Sequence, residues 1–202
     1  KLYTKARKAR EHLAQMIADN RRDIEYLESV VLEIEKAENM AELEDILDEL
    51  EQEGLIKHRS GKKKQREEAK GPRAFKSADN LDILVGRNNR QNDLLTLKKA
   101  GKNDLWLHVQ GFAGTHVILS LPSQMESVED IPDRSLEDAA MLAAYYSKAK
   151  EAEKVAIDYT FRYNVKKPRG ARPGMVIYDN YWTINVNPSD PRLKELLQGE
   201  KN

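Results

Sequence analysis

The segment with the clearest chemical potential follows a short apolar run and combines arginine with carboxamide side chains. The run Leu81–Val85 is typical of a β-strand and ends at a glycine. The polar residues that follow it are Arg87, Asn88, Asn89 and Asn92. Arginine offers a planar set of donors to phosphate, and asparagine can donate to and accept from a base edge. The segment therefore predicts a nucleic-acid contact where a helix begins. The structural alternative is that these side chains only cap the helix and close the turn.

A second candidate is the basic loop 164–174, which contains no acidic residue. Its cations are Lys166, Lys167, Arg169 and Arg172. Two prolines and two glycines disfavour a helix here, so we expect the cations to face solvent, where they could bind phosphates. Surface loops with several basic residues are also common in proteins that bind no nucleic acid.

A third candidate is an aromatic pair in the apolar run Leu105–Val109. Alternation along a β-strand places Trp106 and His108 on one face of the sheet. An indole beside an imidazole could stack on a nucleobase, whereas a second packed layer would simply bury both rings. His116 opens a later β-type run and could approach His108 in space. Two histidines without a carboxylate partner are more often structural or RNA-contacting than metal-binding.

Several kinds of chemistry have no support in the sequence. The chain has no cysteine, which excludes disulfides, thiolate metal sites and cysteine nucleophiles. The common nucleotide-binding glycine motifs, the HExxH zinc motif and the GxSxG nucleophile motif are also absent. Basic and acidic residues number 34 each, so any nucleic-acid site must be a local concentration of charge. We therefore expect a binding protein that is not an enzyme and has no metal or other cofactor.

The N-terminal region predicts a projecting helical arm over residues 1–56. Steps of three and four from Ala6 to Ile34 form a heptad pattern, and a helix of about 37 residues would be roughly 55 Å long at 1.5 Å per residue. Asn39 followed by Glu42 is typical of a second helix start, and Gly54 of its end. The shorter second helix leaves part of the heptad pattern for another partner, either an upstream segment or another chain.

The remaining sequence predicts a basic linker over 57–74 and a globular domain over 75–202. The linker could be a solvated tether or a strap that contacts phosphates. Short β-type runs, among them 155–163, and helical windows at 88–98 and 136–149 give an α+β fold class: a coiled-coil hairpin followed by a compact mixed α/β domain. The alanines of the second window could pack closely on a sheet. The longest apolar runs fall far short of the roughly 20 residues that cross a bilayer. Because Lys1 lies inside a helical pattern, we expect a fragment of a longer protein.

Four segments in this order resemble a known family: VGRNNRQND, DLWLHVQGFAGTHVIL, AAMLAAYYSKAKEAEKVAIDYT and NVKKPRGARPGMVIY. They look like the RNA-binding module NFACT-R of bacterial ribosome quality control factors, and the preceding helices are similar to the family's coiled-coil middle region. The turn Gln110–Thr115 departs from the charged, proline-containing turn that family members often have.

The absence of cysteine favours a reducing, cytoplasmic location, and display on the cell surface without a recognisable signal is the alternative. The resemblance implies a protein that binds large ribosomal subunits obstructed by peptidyl-tRNA. It would contact rRNA and tRNA and support the addition of C-terminal alanine tails, with peptidyl transfer left to the ribosome. The same family is also known as fibronectin-binding proteins of the FbpA type, so an adhesin fragment that binds fibronectin is an alternative. A third alternative is a purely structural arm-and-cap module whose ligand contacts are made by other domains.

Overall fold

The structure, a computed structural model, describes residues 2–57 and 71–200 and confirms the α+β fold class. The helices are α1 (Leu2–Lys36), α2 (Met40–Gln52), α3 (Asn89–Leu94), α4 (Asp133–Tyr145) and α5 (Arg192–Gln198). The strands are β1 (Arg73–Lys76), β2 (Asp82–Val85), β3 (Leu105–Val109), β4 (Val117–Leu119), β5 (Val155–Phe161), β6 (Val165–Lys166), β7 (Ile177–Tyr178) and β8 (Trp182–Val186). A π-helical turn, Leu95–Lys99, continues α3.

The arm begins as a free-standing helix. α1 has 35 residues, and every side chain from Leu2 to Glu25 is exposed. Its first buried side chain is that of Tyr26, which packs with Val30 of the same helix and Ile46 of α2. Only the part of α1 from Asp23 onward therefore contacts the rest of the described chain, and the remainder projects as the heptad pattern predicts.

The contact between α1 and α2 uses a different side of α1 from the predicted heptad seam. The apolar seam residues stay 44–57% exposed, and they are Leu13, Ile17, Ile24, Leu27, Val31 and Ile34. The residues that α1 buries are Tyr26, Ser29, Val30, Leu32 and Glu33. The seam therefore has no partner among the described residues, and its coiled-coil pairing stays a prediction.

Both ends of α2 follow the predicted capping signals. The Asn39 side chain accepts a hydrogen bond from the Glu42 backbone N–H at 3.0 Å. The Glu42 carboxylate in turn accepts from the Glu38 backbone N–H at 2.9 Å. Gly54 follows the last turn with φ of +70°, the left-handed conformation that favours glycine at a helix end.

The domain is built on a six-stranded antiparallel sheet in the order β1-β2-β4-β3-β5-β8. The predicted strands are present, although β5 ends at Phe161 and a short 3-10 turn, Arg162–Asn164, follows it. β1 was not predicted, and it begins inside the predicted linker. Residues 58–70 of that linker lie outside the described residues, so its role as tether or strap stays a prediction.

α4 covers one face of the sheet and makes the main core. Its small residues Ala139, Ala140, Ala143 and Ala144 are fully buried. They let the helix approach the inward-facing Leu105 and Leu107 of β3 closely, as the alanine-rich sequence predicts. The predicted helix 136–149 is observed at Asp133–Tyr145, so it begins three residues earlier and ends four residues earlier.

The opposite face of the sheet is covered as well. Trp106 and Ile118 from the sheet pack with Leu95 of the π-helical turn and Val165 of β6 in a second, smaller core. β6 and β7 form a separate two-stranded ribbon over this face. Within residues 2–57 and 71–200, no helix is both long and apolar enough to cross a membrane.

Candidate nucleic-acid interface

Arg87 begins the first predicted contact segment, and its guanidinium is fully engaged inside the protein. The side chain is 3% exposed. Its Nε donates to the Gly71 carbonyl at 2.9 Å, Nη1 lies 3.2 Å from Glu42 Oε1, and Nη2 lies 3.1 Å from Glu200 Oε1. Arg87 therefore connects the end of β2 to the start of α2, and all three guanidinium nitrogens already have partners.

The three asparagines of this segment are also buried and hydrogen-bonded. Asn88 caps α3, since its side-chain oxygen accepts from the Gln91 backbone N–H at 2.9 Å. Asn89 Nδ2 donates to Ser29 Oγ of α1 at 2.9 Å. Asn92 Oδ1 accepts from Thr115 Oγ1 at 2.9 Å. These contacts agree with the capping alternative, and contact of these residues with RNA stays a prediction.

Two glycines explain how closely neighbouring segments approach the side chains of Asn89 and Asn92. A Cβ placed on Gly86 would lie 2.0 Å from Asn92 Oδ1. A Cβ on Gly174, whose φ is +75°, would lie 2.2 Å from Asn89 Oδ1. Both positions therefore require glycine. Gly174 lets the basic loop pack directly against Asn89.

The cations of the basic loop fall into two groups. Lys167 Nζ donates to Asp93 Oδ2 at 2.7 Å and to the Arg172 carbonyl at 2.6 Å, which holds the loop together. Lys166 is largely exposed and lies 3.5 Å from the exposed Asp179. Arg169 is exposed and has no partner among the described residues. Lys166 and Arg169 therefore face solvent as the sequence predicts, whereas Lys167 serves the fold.

Arg172 attaches the loop to the arm. Its Nε donates to Asp23 of α1 at 2.9 Å, and Nη1 lies 3.3 Å from Glu53 beyond α2. Its guanidinium also lies over the Tyr26 ring, 5.1 Å from the centroid. The hydrogen bond that Arg172 donates to Asp23 is the main cause of a pKa for Arg172 above its usual value. This side chain thus contacts both helices of the arm.

These contacts together form what we call the arm–sheet joint. Its domain side consists of Arg73, Arg87, Asn89 and Arg172, and its arm side of Asp23, Ser29, Glu33, Glu38, Glu42, Glu49 and Glu53. A sequence signal for the joint exists: no basic residue lies between Glu38 and Glu53, so α2 needs cations from elsewhere in the chain.

Two carboxyl groups in the joint lack full compensation. Glu33 and Glu49 are buried, and the Oε2 atom of each has no hydrogen-bond partner within the described part of the chain. Burial is the main cause of a raised pKa at both, and the charge of Glu49 raises the pKa of Glu33 further. The joint is therefore more stable when this pair carries a proton.

The three predicted aromatic residues do come together. The Trp106 and His108 rings stack at 5.8 Å between centroids, and His116 meets Trp106 edge-on at 5.2 Å. Burial lowers the pKa of His116 to about 3 and lowers that of His108, so both imidazoles are neutral at pH 7. Trp106 is 1% exposed, which favours the packed layer over an open stacking platform.

A cavity of about 260 Å³ lies beside this cluster and is closed on one side by α1. We call it the arm–sheet cavity. Its walls include Trp106, His108 and His116 from the sheet, Tyr178 of β7, Phe112 of the turn before β4, and Glu25 and Glu28 of α1. The last four were not identified from sequence, because they come from elements far apart in the chain.

Sequence reasoning also missed an exposed aromatic edge formed by Phe161, Tyr163 and Trp182. The Phe161 and Tyr163 rings are nearly parallel at 5.5 Å, and Trp182 meets Phe161 edge-on at 6.4 Å. Tyr163 is 45% exposed and Trp182 44%. Exposed aromatic faces are the groups on which unpaired bases stack. Across residues 2–57 and 71–200, no three acidic or histidine side chains are grouped to hold a metal ion.

Comparison with known proteins places these features in a family. A protein named Rqc2 homolog RqcH from Bacillus subtilis (strain 168) is 35% identical over 191 residues, 92% of this chain and 32% of that protein. Its namesake from Streptococcus suis (strain 05ZYH33) is 36% identical over 197 residues, 97% of this chain and 34% of that protein. The chain thus spans about a third of the length of these relatives.

A solved structure has the same architecture. It is that of the C-terminal of the fibronectin/fibrinogen-binding protein from Streptococcus suis, with a TM-score of 0.83 and 35% identity over 96% of this chain and 75% of that one. Residues 1–69 match the model of the NFACT N-terminal and middle domains, and residues 72–180 match that of the NFACT protein RNA binding domain. The resemblance seen in the sequence is confirmed: this chain belongs to the NFACT family and carries its RNA-binding domain.

Proposed function

We propose that this chain is the RNA-binding part of a cytoplasmic ribosome quality control factor. It binds obstructed large ribosomal subunits through rRNA and tRNA and supports C-terminal alanine tailing of stalled nascent chains. It works as a binding module, and the ribosome forms the peptide bonds. The observation that carries this proposal is the match of residues 72–180 to the NFACT RNA-binding domain, together with the relatives named RqcH.

The arm–sheet joint supports this assignment geometrically. A helix of 35 residues would extend about 50 Å at 1.5 Å per residue, and the joint holds it at one orientation to the domain. A rigid arm lets the two parts of the chain contact distant points on one large particle. A flexible tether would instead let each part bind independently.

We place the RNA on the solvent-facing cations and the aromatic edge. Tyr163 comes three residues before Lys166 in the chain, so exposed rings and exposed cations follow one another along the segment after β5. Phosphates would lie on Lys166 and Arg169, and unpaired bases would stack on Tyr163 and Trp182. Arg87, Lys167 and Arg172 act through the fold in this arrangement.

Salt dependence tests the electrostatic part of the proposal. Affinity for tRNA and for purified large subunits should fall steeply as salt rises, and the double variant Lys166→Ala/Arg169→Ala should flatten the slope of log K against log salt by about 1.4–1.8. The variant Lys154→Ala/Lys194→Ala removes the same charge at other exposed positions and serves as the control. Equal slopes in all three proteins would rule out these phosphate contacts.

Fibronectin binding is the second candidate, favoured by the name of the Streptococcus suis protein whose structure matches. Binding of this chain to immobilised fibronectin that persists after nuclease treatment and in 0.5 M salt, roughly five times the ionic strength at which the Debye length is about 10 Å, would support it. Binding that disappears under either condition would leave RNA as the ligand of the basic surface.

A further inference from the structure

We propose that the arm–sheet cavity binds one unstacked nucleobase of the RNA, a base that carries an exocyclic amino group. This inference rests on the proposed RNA-binding function and adds a specific recognition site to it. The cavity lies between α1 and the sheet, apart from Lys166, Arg169 and the aromatic edge. It would therefore read a base that backbone contacts alone cannot distinguish.

The size of the cavity suits a single base. Pockets for drug-sized ligands measure about 300–1,000 Å³, and this one has a volume of about 260 Å³. Its two sides belong to α1 and to the domain, which the arm–sheet joint holds together. The cavity is thus preformed, and no segment needs to close over the ligand.

One wall offers a donor that lacks an acceptor. Trp106 lines the cavity, and its indole Nε1–H is buried without a hydrogen-bond partner in the described part of the chain. Buried polar groups nearly always have partners in folded proteins, and a small turn of the ring toward an acceptor bound in the cavity would give this donor one. Base carbonyls and ring nitrogens are acceptors of this kind.

The opposite wall offers acceptors. Glu25 and Glu28 of α1 line the cavity and are exposed, and Glu28 lies 3.7 Å from Lys148 Nζ. A carboxylate accepts hydrogen bonds from exocyclic amino groups, as in its pairing with cytosine N4. A ligand that fits both walls must therefore accept on one edge and donate on another.

The charge and polarity of the cavity lining favour a nucleobase over other ligands of this size. No lysine or arginine is among the cavity-lining residues that the structure describes, and both histidines are neutral, so nothing there compensates a phosphate. A lysine or arginine side chain would suit the carboxylates but has no acceptor for the Trp106 donor. A nucleobase supplies donor and acceptor on one planar ring and packs well between aromatic side chains.

The exocyclic amino group predicts the order in which the bases bind. Guanine, adenine and cytosine each carry one, and uracil does not. Guanine also presents a ring N–H beside its amino group, which matches the two oxygens of one carboxylate, and it keeps O6 and N7 as acceptors. We expect guanine to bind most tightly and uracil most weakly.

Nuclear magnetic resonance of the indole N–H groups provides a direct test. The chain has two tryptophans, so Trp182→Phe leaves a single indole signal, from Trp106. Titration with GMP should shift this signal in a saturable way, and UMP should need a concentration at least about fivefold higher. Inorganic phosphate should leave the signal unchanged. A Trp106 signal that no nucleotide shifts, or that a lysine- or arginine-containing peptide shifts instead, would overturn the proposal.

A second test uses the sign of a charge change. Removing an acidic side chain normally strengthens binding to a polyanion such as RNA. If Glu25 and Glu28 hold a base, Glu25→Gln and Glu28→Gln should instead weaken binding of a guanine-containing single-stranded RNA by about fivefold. Glu35→Gln makes the same change at an exposed position of α1 outside the cavity and should show the ordinary strengthening.

The two tests distinguish failure of the cavity from failure of the RNA function. If all three variants strengthen RNA binding equally, the cavity proposal is wrong and the proposed function stands. If the unmodified chain binds neither tRNA nor large subunits, the proposed function itself is wrong.

Discussion

Arg87 and Arg169 belong to the two basic segments that stand out in the sequence, yet they lie in opposite environments. Arg87 is buried against the acidic arm, and Arg169 is exposed with no partner among the described residues. The difference lies in the acidic face of α2, which neutralises the cations that fold against it. A basic motif in an RNA-binding family can thus serve the fold, and only the cations left over are available to the ligand.

The largest effect should come from removing a cation of the arm–sheet joint. We expect Arg87→Ala to lower the free energy of unfolding by about 3–5 kcal/mol, because it leaves the buried carboxylate of Glu42 without its cationic partner. Chemical denaturation measures this. Arg169→Ala is the matched control and should change stability by no more than about 0.5 kcal/mol.

The same two variants can also contradict the roles assigned to Arg87 and Arg169. If Arg87→Ala kept its stability and lost RNA affinity, while Arg169→Ala changed neither, the roles assigned to the buried and exposed arginines would be reversed.

The aromatic edge should have a smaller effect, and on binding alone. Tyr163→Ala should weaken single-stranded RNA binding by about 1–3 kcal/mol, because it removes an exposed ring on which a base can stack. Tyr163→Phe keeps the ring and serves as the control in the same binding assay. A loss in both variants would attribute the effect to the phenol hydroxyl and rule out stacking as its source.

The smallest effect should be a change in pH dependence at the joint. The pKa of Glu33 is raised in the folded state, mainly by burial, above the ordinary value of 4.5. Its stabilising contribution is therefore present below pH 4.5 and is lost as pH rises through the raised pKa. Glu33→Gln removes this loss and should raise the free energy of unfolding at pH 7 by about 1 kcal/mol.

Denaturation at pH 4.5 and pH 7 measures this change, and Glu35→Gln on the exposed side of α1 is its control. A variant at Glu33 that keeps the pH dependence of the unmodified chain would show that another group in the joint is responsible.

Local patterns in the sequence predict much of the fold. Alternation in Leu105–Val109 and the alanine-rich face of α4 predict the main core, and the Asn39 and Gly54 signals mark the ends of α2. β1 escaped prediction because its four residues, Arg73–Lys76, owe their strand conformation to pairing with β2. The π-helical turn escaped because its wider hydrogen-bonding pattern has no distinct apolar period.

The candidate site was harder to predict, since side-chain partners lie far apart in the chain. Arg87 meets Glu42, and Arg172 meets Asp23, only after the arm folds against the domain. Residue type and spacing suggested cations and amides that were available to a ligand. The acidic residues that form ion pairs with these cations lie in other elements of the chain. Trp106, His108 and His116 do converge as their strand positions suggest, although they face a covered layer.

The two sides of α1 serve separate tasks. Tyr26 and Val30 face α2, while Leu27, Val31 and Ile34 on another side of the same turns face water. A helix packed along the exposed side would thicken the rod and resist its bending, and it would leave the buried contact of Tyr26 and Val30 with α2 unchanged. The stiffness of α1 and its direction relative to the domain can therefore be adjusted independently.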